Sequence, residues 1–134
     1  LMEWGIKECL ERTRVEAIKG GMWIDSMDMV LEKAEMERKF ILTLFHSHLK
    51  EEFCNIICGW SFSIFDKIIR EKSKGQAIKE QDVQFVIKIL TYGLTGIVVD
   101  WLEGGMMESH KKLCEQVRTL IGDSFEGAIQ KFVK

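Results

Sequence analysis

A chain of 134 residues, 46% hydrophobic and 30% charged, is long enough for one compact domain with a core of its own. Its 19 basic and 21 acidic side chains leave a net charge of -2, which excludes a disordered polyelectrolyte. The basic residues are interspersed with acids and cluster only in pairs such as Lys111-Lys112, so this segment is not expected to bind nucleic acid by itself.

No basic start followed by an apolar run and a cleavage site opens the chain. Cys9, Cys54, Cys58 and Cys114 are therefore expected to be reduced thiols in the cytoplasm. The most apolar stretch, residues 89–102, is short for a membrane span and contains Asp100, so a soluble chain is expected.

With no proline anywhere, breaks must come from glycine and polar turns, and five helices are predicted. The first covers about 2–19, with Met2, Ile6, Cys9, Leu10 and Thr13 on one side, and Gly20-Gly21 ends it. The second covers about 23–45 and places Met27, Val30, Leu31, Ala34, Ile41 and Phe45 at helical spacing. A joint at 46–48 offers Ser47 as an N-cap for the third, about 49–72, whose stripe is Phe53, Ile56, Ile57, Trp60, Ile64 and Ile68. The polar stretch 73–76 reads as a mobile loop.

The fourth helix, about 79–103, is apolar on two faces. One stripe holds Val83, Val86, Leu90, Leu94, Ile97 and Trp101, and the other holds Phe85, Ile89, Tyr92, Gly96 and Val99. Such a helix must be covered on both sides, here by the chain's own core and by a second subunit. Gly93 and Gly96 each cost about 1 kcal/mol of helix stability against alanine, which close approach of a neighbouring helix would offset; room for bulky side chains within one subunit is the competing explanation. Gly104-Gly105 closes this helix. Glu108-Ser109 offers the cap of the fifth, about 110–132, with Leu113, Val117, Leu120, Ile121, Phe125 and Ile129 on one side.

Catalytic and metal signatures are absent from the pattern. His46, His48, Cys54 and Cys58 are the nearest thing to a zinc set, but thiols at i, i+4 on one helix face fit core packing better than a metal turn. No glutamate has a histidine three residues later, as a di-metal bundle would need. No phosphate loop or nucleophile–base pair stands out, so no enzyme, cofactor or metal is expected. Aromatic residues from three helices, including Trp23 and Phe65, are the best sign of a ligand pocket. Its candidate lining is Phe45, Phe53, Cys58, Trp60, Phe62 and Tyr92, with ordinary core packing as the rival for each.

The stretch from Asp82 to Met107 resembles the C-terminal region of TetR-family regulators of the Firmicutes type: a long apolar helix with Gly96-Ile97-Val98, then Trp101-Leu102, then Gly105-Met106 before a final amphipathic helix. Trp4, Glu37 to Phe40 and Phe53 extend the likeness over nearly the whole chain. The resemblance implies a single all-α domain, an antiparallel bundle of about five helices over residues 1–134. It implies a homodimer through the last two helices, with a pocket for an effector enclosed by the earlier ones. The interface would then include Phe85, Ile89, Leu90, Gly93, Gly96, Ile97 and Trp101 of the fourth helix and Leu113, Val117, Leu120 and Ile121 of the fifth. The family's helix-turn-helix would precede Leu1, so this is either a fragment of a longer regulator or a chain without its DNA reader. His110 stands where such regulators often carry proline at the first helical position. A stand-alone helical adaptor for another protein is the alternative function, with a metal- or cofactor-binding bundle behind it.

Overall fold

The computed structural model describes residues 23–121 and 130–133. Five helices follow in order: α1 (Trp23–Met36), α2 (Arg38–Phe45), α3 (Lys50–Ser73), α4 (Glu80–Glu103) and α5 (His110–Ile121), and no strand occurs among the described residues. The all-α expectation holds. The predicted first helix lies outside the described residues, as does most of the fifth beyond Ile121.

The single helix predicted over 23–45 is two helices, broken at Glu37, where φ is -107° and ψ 30°. Its apolar spacing runs through the break without a slip, so periodicity could not show it. The cause is a change of packing partner: α1 lies on α5, whereas α2 lies on α3. The charged run around Glu37, Arg38 and Lys39 is exposed and supplies no buried anchor to hold one straight helix.

Helices α3 and α4, each 24 residues long, pack along each other as an antiparallel hairpin. Arg70 fastens the linked end, its guanidinium donating to Asp66 at 2.8 Å and to both carboxylate oxygens of Glu80 at 3.0 and 2.9 Å. The bidentate bond from Arg70, then one from Gln84, holds the Glu80 carboxyl below its usual range. Lys50 pairs with Glu103 at the far end. Between these tethers the core is aliphatic and aromatic: Phe45, Ile64, Phe65 and Ile69 are fully buried, with Ile87 of α4 beside them. Trp23 of α1 meets Phe65 edge-on at 5.1 Å.

The end of α4 is a Schellman turn. Gly105, at φ 81°, donates to Leu102 O at 3.0 Å, and Met106 donates to Trp101 O at 2.8 Å. Met106 is buried behind it, and the Trp101 indole N–H donates to Glu108 O at 2.8 Å. Ser109 then caps α5 by accepting from the Lys112 N–H at 3.2 Å, as the sequence suggested. Ser47 serves differently from its predicted role. It stands two residues ahead of the cap position Leu49, accepts from Leu49 N–H at 3.0 Å and donates to Leu44 O.

Length and composition alone would let α4 cross a membrane, although its most apolar stretch, 89–102, is short for a span. Its inner face is nevertheless packed on α3, and Lys88 and Asp100 interrupt the outer one. The helix reads as a core element with an apolar exterior.

Candidate functional site

Two features of α4 adjoin: an apolar outer stripe and a groove shared with α3. Of the first predicted face Val83, Val86, Leu94 and Trp101 are buried, together with Val98, which belongs to neither predicted stripe. The second face is open. Phe85 is 51% exposed, Ile89 55% and Tyr92 60%, and these follow one another at helical spacing before Gly96. Ile97, at 39%, flanks them; Leu90 and Val99 are half-buried. Phe132 touches the start of the stripe, its ring 6.4 Å from that of Phe85.

Gly93 and Gly96 are exposed on this side, and a Cβ added at either meets no atom within 4 Å. Room for side chains inside the subunit therefore does not explain them. Of the other interface candidates, Trp101, Leu113 and Val117 are buried within the chain itself. Leu120 is 85% exposed, and the side chain of Ile121 lies outside the described residues.

The groove, about 580 Å³ in volume, runs along the opposite flank of the same stripe. On α3, Asn55, Gly59, Phe62, Asp66 and Arg70 recur at helical spacing along one wall, and Cys58 joins them; α4 answers with Gln84, Ile87, Lys88, Thr91 and Tyr92. Three of the six pocket candidates, Cys58, Phe62 and Tyr92, come together here. Phe45, Phe53 and Trp60 instead lie in the core, where Phe45 meets Phe53 edge-on at 6.1 Å. Periodicity missed the groove because its walls are the flanks of two stripes, each polar or small in part. The usable signals were Gly59 within an apolar helix and Thr91 on a buried face.

The lining mixes apolar faces with polar and charged groups, and two cations, Arg70 and Lys88, belong to it. Arg70 is held by Asp66 and Glu80, whereas the Lys88 ammonium lies over the Tyr92 ring, 5.9 Å from its centroid. Thr91 is 2% exposed and its hydroxyl has no hydrogen-bond partner; the Thr95 hydroxyl, one turn on, is also buried without one. A buried unpaired hydroxyl costs about 1–3 kcal/mol, so this flank of α4 has polar capacity to offer.

A second polar cluster, unforeseen in the sequence, joins α1 to α5. The His110 ring is mostly buried, with Nδ1 2.7 Å from Asp28 Oδ1, and its backbone N–H donates to Glu35 Oε1 at 2.7 Å. Proline at this position could not make the second bond. One and two turns on, Cys114 is buried beside Asp28 and Arg118 pairs with Asp25 at 3.0 Å. No group of three metal-ligating side chains occurs among the described residues. Burial first, then Asp28, pushes the Cys114 thiol up to about 12. An unfolded thiol ionises near its ordinary value of 9, so this protonated side chain contributes stability that is complete below about pH 9 and lost as pH rises from 9 to 12. Peptide mapping after a short iodoacetamide pulse at pH 8 should find half-buried Cys58 alkylated and Cys114 intact; labelling of Cys114 at a comparable rate would contradict its burial.

No curated protein and no solved structure matches this chain. A family model of the TetR type, described as transcriptional regulator C-terminal region, matches residues 21–123, and with them the helices that build both the groove and the apolar stripe. The chain belongs to the TetR-type family of transcriptional regulator C-terminal regions.

Proposed function

We propose that this chain is the ligand-sensing and homodimerisation domain of a TetR-like regulator, in which an effector alters operator binding by an N-terminal DNA-binding head. The observation that carries the reading is the outer stripe of α4, where Phe85, Ile89 and Tyr92 stand exposed around two glycines. A contiguous apolar stripe of this kind is a docking surface in a soluble protein. A two-fold partner presenting the same stripe would bury it, and the glycines would let the two α4 backbones approach. α5 contributes less than the family pattern suggests, because Leu113 and Val117 are already packed in the core.

Tyr92 belongs to both the stripe and the groove, which supports a direct linkage. An effector in the groove biases the Tyr92 position and thereby the spacing of the two subunits. Such a shift needs differential affinity between the two states, typically about 1–3 kcal/mol. The protein acts in the cytoplasm as a regulator without catalytic chemistry, and touches DNA only through the head.

Light scattering at micromolar concentration tests the reading, with a dimer as the expected mass. Gly96→Ala provides a sharper test because its two effects have opposite signs. Alanine adds roughly 1 kcal/mol of helix stability to the isolated subunit, where its methyl meets nothing. In the dimer the same methyl separates the helices and weakens association. A variant with a raised monomer melting temperature and unchanged dimer affinity would place the interface elsewhere, and a monomeric parent chain would favour an adaptor for a different protein.

A further inference from the structure

We infer that the α3–α4 groove takes a flat aromatic anion, its ring between Phe62 and Tyr92 and its acidic group at Lys88. The inference rests on the ligand-sensing reading above and specifies what is sensed. Phe62, 49% exposed, and Tyr92 give the groove an aromatic lip on each helix, and Ile87 gives it an apolar wall. Gly59 leaves the α3 wall without a side chain; a Cβ there would meet nothing within 4 Å. A planar ring system can lie against that bare backbone, where a branched or globular ligand would gain little contact.

Charge decides the sign of the ligand. Among the lining residues Arg70 is shared between the Asp66 carboxylate and that of Glu80 at the groove's end, so this cluster offers no free cation. Lys88 is the remaining formal charge of the lining, and its partner there is the face of Tyr92, a weak cation–π contact in water. A carboxylate or sulfonate at the groove edge would add an ion pair while the ring keeps the stacking. Thr91 also belongs to the lining, and its hydroxyl is buried without a hydrogen-bond partner.

The experiment titrates the full chain with 8-anilinonaphthalene-1-sulfonate, a flat aromatic anion, and with thioflavin T, a flat aromatic cation, following the fluorescence of each. The parent chain should bind the anion at least tenfold more tightly than the cation. Lys88→Glu should reverse that preference, and Lys88→Arg should keep it. Gly59→Leu fills the groove and should abolish both signals; Phe62→Ser, at an exposed position that leaves the fold intact, should weaken both about tenfold. Anion binding indifferent to Lys88→Glu, or to both Gly59→Leu and Phe62→Ser, overturns the inference. Light scattering on the same samples separates the two readings. A dimer whose probe ignores these variants loses only the groove, whereas a monomer removes the regulator reading whatever the probe does.

Discussion

Aspartate at position 89 is expected to leave the subunit folded and to split the dimer. In the single chain Ile89 is 55% exposed, so the substitution costs only the modest helix propensity of aspartate, roughly 0.7 kcal/mol or less. Across a two-fold interface each copy would bury that carboxylate against the apolar stripe of its partner. An uncompensated buried charge costs about 3–5 kcal/mol, so the dissociation constant should rise by roughly two orders of magnitude or more. Gly96→Leu, placed on the same stripe, should act in the same direction through bulk. Leu90 would be a poorer probe, because it is half-buried and a charge there would unsettle the subunit itself. Sedimentation or light scattering across a dilution series, with circular dichroism as the control for folding, gives the answer. An Ile89→Asp chain that stays dimeric would end the case for this stripe as the interface.

The second large effect concerns the fold. Phe65→Ala removes a fully buried ring that packs edge-on against Trp23 at 5.1 Å. Phenylalanine-to-alanine changes in a core cost about 3–5 kcal/mol, through lost transfer energy and the cavity left behind. The melting temperature should fall by roughly 10 °C or more. Because Phe65 lies on α3 and Trp23 on α1, the loss loosens a contact between α1 and the α3–α4 hairpin. A thermal melt followed by circular dichroism checks it; a shift of only a degree or two would mean the site collapses without a cavity, or that the ring is not buried as described.

The groove and the stripe differ in how far residue spacing alone reveals them. Phe85, Ile89 and Tyr92 could be seen as a second apolar face of the fourth helix, because one helix supplies the whole pattern. The groove needs two helices at a definite rotation about their axes. Phe62 stands outside the apolar stripe of α3, and only the packing of α3 on α4 makes it part of a wall with Gly59 and Asp66. Phe45, Phe53 and Trp60 carried the same aromatic signal and are core instead. Residue type cannot separate a ring at the lip of a groove from one packed against another ring, since either can carry the same apolar spacing.

By itself the amino-acid sequence determined the class of fold, the link between the two long helices, the glycine turn at Gly105 with its Ser109 cap, and the two-sided apolar character of α4. These are local matters, settled by helical periodicity and by the backbone freedom of a few residues. Tertiary structure alone decided the break at Glu37, the removal of Leu113 and Val117 into the core, and the clamp of His110 on Asp28 and Glu35. Each depends on which helix lies beside which, a choice made by packing between residues 23 and 121 rather than by any short stretch of chain.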